Sequence, residues 1–143
     1  MTTKQILLVK TSWAMVAEID PQTVGSLFYN RLFEIAPEVK PIFSHSNLAE
    51  QSKKLLSMLS YVISKLNKLD DIISDVKKLA IRHIKYGVEE IHYTSVEGAL
   101  LWTLEKGLGE HWNEELAEAW TVCYLTLSSA MISAANESQL LPA

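Results

Sequence analysis

From Ile72 to Gly87 the chain reads IISDVKKLAIRHIKYG. Val76, Leu79 and His83 recur at three- and four-residue steps, which stacks them on one face of a helix. Asp75, Lys77, Lys78, Arg82 and Lys85 fall on the rest of the circumference. Gly87 is placed to end that helix in a left-handed turn, so a helix is expected from about Ile72 to Tyr86. A neutral imidazole facing an apolar surface can give one ring nitrogen to a backbone carbonyl and the other to a metal. On spacing alone, a lone histidine on a helix is more often a structural residue than a ligand.

Working outward, the same 3.6-residue period appears on both sides. Ile6, Val9, Trp13 and Ala17 make one stripe, and Val24, Leu27, Phe28, Leu32 and Ile35 another. Leu48, Gln51, Leu55, Leu59, Val62 and Leu66 share a face on a third helix. Start signals agree with the stripes. Thr2 with Gln5, Asn47 with Glu50 and Thr94 with Glu97 fit capping boxes, Asp20-Pro21 fits a cap and first helical residue, and Asn113 precedes Glu114 and Glu115. The last two helices are expected from about Tyr93 to Lys106 and from about Asn113 to Ala135, with Gly107 and Gly109 in the loop between. Pro37 to Phe43, bounded by Pro37 and Pro41, suits one helical turn and a corner. No Asn-Gly, Asp-Gly or Gly-Gly pair offers a tight hairpin turn, so the fold class is all-α.

Composition narrows the function classes. The 143 residues are 48% hydrophobic and 21% charged, in the range of one globular domain with a real core. A net charge of −4, with Arg31 and Arg82 the only arginines, offers no cationic face for nucleic acid. Cys123 alone cannot form an internal disulfide and sits in an apolar run, as a small core residue would. The N-terminal apolar run, Ile6 to Val9, is too short for a secretory signal, so a cytoplasmic location is expected. The uncharged stretch between Glu118 and Glu137 is long enough to raise a membrane span. Its hydroxyls, Thr121, Thr126, Ser128, Ser129 and Ser133, favour a buried helix, and no membrane partner is expected.

Of the four histidines, His45, His83, His92 and His111, only His83 lies inside a strongly amphipathic segment. Glu89-Glu90-Ile91-His92 contains the Glu-x-x-His spacing of di-iron bundles, but those need two copies and one is present.

The ordered residues carry a resemblance. Leu27-Phe28-Tyr29-Asn30-Arg31-Leu32-Phe33, Pro41-Ile42-Phe43, Gln51 with Leu55, Arg82-His83 and Ile91-His92-Tyr93 follow one another as they do in globins. The chain is similar to single-domain bacterial globins and to the globin domain of flavohaemoglobins. The likeness spans about residues 4–135 and treats 1–143 as a single globin domain. It implies a 3-on-3 helical sandwich around haem b (iron protoporphyrin IX).

The resemblance also implies roles. His83 would be the metal ligand. Tyr29 and Gln51 would donate hydrogen bonds to a gas on the opposite face, beside Leu55, where an acceptor carrying charge is held more tightly than a neutral one. Phe43, Leu55, Leu79, Tyr93, Val96 and Leu100 would line the cofactor, with Lys54, Arg82 and His92 as partners for its propionates. Any one of these apolar residues serves equally as plain core, and Tyr29 as a packed ring satisfied by backbone. In flavohaemoglobins the tyrosine matched by Tyr93 works with a glutamate on the last helix; aligning on Trp120 puts Ala135 there. Glu137 two residues on would point elsewhere, which argues against peroxidase-like chemistry. Reversible binding of oxygen and other diatomic gases, for storage, transport or scavenging, is therefore expected. The rivals are nitric oxide dioxygenation, with an external reductase in place of the missing flavin domain, and gas sensing.

Overall fold

In a computed structural model, the structure describes residues 1–140 except Tyr86, with side chains described as far as residue 137. All regular structure among these residues is helical. Helix α1 spans Thr3–Val16, α2 Pro21–Ile35, α3 Leu48–Ser64, α4 Ile73–Lys85, α5 Glu90–Leu108 and α6 Glu114–Leu140. A 3-10 helix over Pro37–Phe43 makes the expected corner between α2 and α3, and a short one over Leu69–Ile72, which the periodicity does not show, leads into α4.

The caps explain most boundaries. The Thr2 hydroxyl accepts from the Gln5 amide, while the Gln5 side chain accepts from the Thr2 amide. Asp20 accepts from Gln22 N, Asn47 from Ala49 N and Glu50 N, and Asn113 from Leu116 N. Each satisfies amides that a first helical turn leaves without partners. Gly87 adopts φ 88°, and the Val88 amide closes on the His83 carbonyl at 3.0 Å, so the turn after α4 is left-handed as expected. The expected end of that helix, Tyr86, lies outside the described residues.

Three expectations are corrected. Helix α5 does not begin with a Thr94 cap. It begins one turn earlier, where Glu89 and His92 form a reciprocal box with Glu89 N donating to His92 Nδ1 at 2.9 Å. That local box satisfies the amides ahead of Thr94. Gly107 lies inside α5, where a Cβ would meet Ile19 and Val16 at ordinary contact distances of 3.5 and 3.9 Å; only Gly109, at φ 55°, ends the helix. Helix α6 continues past Ala135 to Leu140. The stripes also overreach at their ends, since Ala17, Ile35 and Leu48 are exposed.

Two apolar clusters hold the helices together. The larger joins Val9, Trp13 and Val16 of α1 to Phe28 and Leu32 of α2, to Leu100 and Leu104 of α5, and to Trp120 and Cys123 of α6. Its centre is the Trp13–Trp120 pair, with centroids 6.0 Å apart. Both indoles are satisfied, Trp120 Nε1 donating to Ser12 Oγ and Trp13 Nε1 to Ser60 Oγ, each at 2.9 Å. The smaller cluster gathers Val62, Ile72 and Val76 against Met58, Leu127 and Met131. Helix α2 packs on α3 and α5, and α4 packs on α6. No helix among the described residues is long and apolar enough to cross a membrane.

This arrangement leaves much of α3 and α4 unpacked against each other. Helices α3 and α4 meet where Tyr61 Oη donates to Asp75 Oδ2 at 3.1 Å and Val62 joins Val76, and they share no extended contact beyond that. Gln51 stands roughly three turns before Tyr61 on α3, and His83 roughly two turns beyond Asp75 on α4. Those unpacked stretches of α3 and α4, the cleft from here on, carry the two residues.

Candidate functional site

On the α4 wall, His83 is half-buried and its Nδ1 lies 2.8 Å from the Leu79 carbonyl one turn earlier. A carbonyl only accepts, so Nδ1 carries the proton and the neutral ring has its lone pair on Nε2. Burial lowers the His83 pKa below the ordinary imidazole value. The Leu79 carbonyl opposes that, and the Arg82 charge adds to it. The ring is thus held neutral and in one tautomer, the state a metal ligand needs. Leu79, one turn before the imidazole, is half-buried and belongs to neither apolar cluster.

The opposite wall is built from α2, α3 and the corner between them. Tyr29 is 3% exposed, and its ring lies 5.3 Å edge-on from Phe43 and 5.0 Å from Phe28. Burial pushes its phenol up to about 12, and a hydrogen bond with the Gln51 side chain offsets part of that rise. The phenol and the carboxamide are therefore neutral partners on one wall. Leu55, one turn beyond Gln51 on α3, packs half-buried against the larger cluster. Phe33, missed in the reading of the site, completes the aromatic group, 6.2 Å from Tyr29 and 5.7 Å from Phe43. Its position one turn after Tyr29 was the available signal.

Gly25 and Ser52 were also missed. A Cβ on Gly25 would sit 1.9 Å from Ser52 Oγ and 2.2 Å from its Cβ, so α2 and α3 cross in contact at this point. That crossing fixes where Tyr29 and Gln51, each a few residues away, meet. Nothing in the spacing of apolar residues marks such a glycine.

The remaining candidates are dispersed around the cleft. Val96 is half-buried against the larger cluster, and Leu100 lies inside it, one turn further along α5. The Tyr93 phenol is raised by burial, and its backbone carbonyl accepts from Tyr124 Oη of α6. Ala135 is half-buried on α6, and Glu137 is exposed. Lys54 and Arg82 are exposed. His92 is buried, with its Nδ1 committed to the Glu89 amide, so it caps α5 and has only Nε2 for any other partner. No group of three or more His, Cys, Asp or Glu side chains among the described residues is arranged to hold a metal ion. The Glu89-x-x-His92 spacing is accounted for by the cap.

These residues fit a flat iron macrocycle better than a bare ion. A neutral imidazole with a fixed tautomer stands on α4, a phenol and a carboxamide on α2 and α3, and Phe43, Leu55, Leu79 and Val96 are half-buried apolar side chains on the elements around them.

Comparison with known proteins agrees with this geometry. A family model described as Globin matches residues 26–131. An anaerobic nitrite reductase of Arabidopsis thaliana is 33% identical over 144 aligned residues, covering 91% of this chain and 90% of that protein. A flavohemoprotein of Oceanobacillus iheyensis is 27% identical, covering 96% of this chain and 36% of that protein. Among solved structures, a bacterial globin from Campylobacter jejuni superposes with a TM-score of 0.84 at 27% identity, covering 96% of this chain and 99% of that one.

Proposed function

From the premise that the chain belongs to the globin family, and so binds haem, we propose that residues 1–143 form one globin domain carrying haem b and binding oxygen reversibly. His83 is the iron ligand in this reading, and Tyr29 and Gln51 are the donors to the gas. When bound, haem supplies a ferrous iron with one position open to a diatomic molecule.

The chain's own residues do the rest. Leu79 holds the His83 ring by Nδ1, which fixes the ring's orientation and its tautomer. Tyr29 keeps its proton at neutral pH and offers it to an acceptor between the walls. Gln51 orients the phenol and adds an amide donor. A hydrogen bond to a charged acceptor contributes about 1.5–3 kcal/mol, which slows release and raises affinity. Phe43, Leu55, Val96 and Leu100 exclude water from the ring, and Lys54 and Arg82 stand in solvent to meet carboxylates at the rim. The reading is supported by Tyr29 paired with Gln51 on α2 and α3 and by a His83 on α4 whose Nδ1 is fixed on the Leu79 carbonyl. Its test is oxygen dissociation by stopped flow. Tyr29→Phe and Gln51→Leu are each expected to speed release, and unchanged rates in both would overturn the donor assignment.

The name of the Arabidopsis thaliana relative, an anaerobic nitrite reductase, favours a second reading at the same site, in which nitrogen oxides are the substrates and an external reductase would supply electrons. Nitrite with one electron and two protons gives nitric oxide and water; nitric oxide with oxygen and one electron gives nitrate. Sustained turnover with a cellular reductase, faster than with free haem, separates this reading from gas carriage.

A further inference from the structure

The net charge of −4 hides a division along the chain. Between Glu38 and Lys85 there are nine lysines and arginines against five acids, whereas from Glu89 to Glu137 one lysine stands against nine glutamates. The basic share is densest on α4. Its acids end at Asp75, which is bonded to Tyr61, and no acid follows until Glu89. Lys77, Lys78, Arg82 and Lys85 are all exposed, and none is in an ion pair among the described residues. Lys77 and Lys78, four and three residues before Ile81, and Lys85, four after it, are its neighbours on the helix surface, and Arg82 follows it in the chain. Ile81 itself is 38% exposed. The opposite face of α4, through Val76 and Ala80, is buried where the helix packs on α6. Attraction to the C-terminal end of the helix dipole accounts for Arg82 and Lys85 in the last turn, but not for Lys77 and Lys78 in the middle.

An exposed apolar side chain amid cations without acidic partners is the layout of a transient docking surface. The charges steer an oppositely charged protein, and the apolar centre loses its water on contact. We propose that this outer face of α4 docks the acidic surface of an electron-donor flavoprotein. The inference rests on the haem reading above, because both versions of it need iron kept ferrous by an outside source of electrons.

Position and charge favour that partner. His83 is on the same helix, so a donor seated on the outer face is separated from the cleft by about one helix thickness, roughly 10–12 Å. The glutamates of α5 and α6 repel an acidic protein, while the outer face of α4, turned away from α6, attracts it, so the partner is oriented before contact. Four cations along one short helix fall below the roughly 6–10 phosphate contacts that hold a protein on nucleic acid. The step itself is simple: one electron leaves the donor's reduced flavin and reduces ferric iron to ferrous, with no bond formed or broken.

The test uses the haem-loaded ferric protein, with photoreduced flavodoxin, a small acidic flavoprotein, as the probe. Stopped flow gives the second-order rate of reduction across ionic strength. In the triple variant Lys77→Gln, Lys78→Gln, Lys85→Gln, the rate at low ionic strength is expected to fall roughly tenfold, and parent and variant converge as salt screens the attraction. A matched triple, Lys4→Gln, Lys40→Gln, Lys53→Gln, changes the net charge equally at exposed positions elsewhere and should slow far less. Ile81→Ser is expected to slow reduction at low and high salt alike. Carbodiimide cross-linking, which joins a lysine to a touching carboxylate, should map flavodoxin onto Lys77, Lys78 and Lys85 whether or not an electron moves. Equal slowing in the two triples assigns the effect to net charge and overturns the docking face. A parental rate that salt does not change overturns it as well. So does parental binding to a DNA duplex or to phosphatidylserine vesicles that the α4 triple loses, with no cross-link to flavodoxin. These outcomes leave the haem reading intact, whereas a parent chain that takes up no haem overturns both.

Discussion

Tyr29 shows how one side chain is fitted to its task by its surroundings. The ring is almost wholly buried among Phe28, Phe33 and Phe43, which stabilises the helix–corner junction and also makes ionisation of the phenol costly. The hydroxyl therefore stays a donor across the physiological range. If that donor meets a charged acceptor, Tyr29→Phe should speed oxygen release roughly 10- to 100-fold, the factor equivalent to the loss of one such bond. A pH effect follows as well. The unfolded phenol ionises near 10.0 and the folded one at about 12. The native state thus holds the proton more tightly, its contribution is complete below the lower value, and it is lost as pH rises through the upper one. Urea midpoints should fall between about pH 10 and 12, and less steeply in Tyr29→Phe. Tyr124, also raised by burial, retains its own share of the fall.

At the level of the helices, the site depends on two glycines that carry no chemistry. Gly87→Ala puts a side chain at φ 88° in the turn that clasps the His83 carbonyl, and it should cost about 1–2 kcal/mol in urea melts. Gly25→Ala forces α2 off α3 and should cost about 1–3 kcal/mol. Adding Ser52→Gly should recover part of that cost, and a double-mutant cycle measures the coupling. Strict additivity would mean that the helices do not touch there. These glycines mark what periodicity can and cannot reveal. The stripes through Trp13, Phe28, Val62 and Val76 locate core faces because burial of apolar surface follows helix period. The start of α5 is misread because Thr94 and Glu97 make a valid box in isolation, and only the backbone reveals that Glu89 and His92 make an earlier one. Likewise, His83 is visible as a residue on a face, but the Leu79 bond that fixes its tautomer depends on a side-chain rotamer. The Gly25 crossing is a contact between distant elements, which no local pattern encodes.

For the molecule as a whole, the core and the cleft are separate investments. The Trp13–Trp120 centre and the Val62–Ile72–Val76 cluster join the helices without using His83 or Leu79, so the helices are held before the cleft is filled. A ligand that binds only the folded state then adds stability by mass action. Haem should raise the thermal midpoint of the parent chain and do so far less in His83→Ala, since the apolar walls remain but the anchoring nitrogen is gone. The most direct measurement is the ferrous absorption spectrum of parent and His83→Ala after reconstitution with haem. The account predicts an intense Soret band with stable carbon monoxide binding in the parent, and loss of stable ferrous binding in the variant. The same band and the same gas binding in both chains would contradict it.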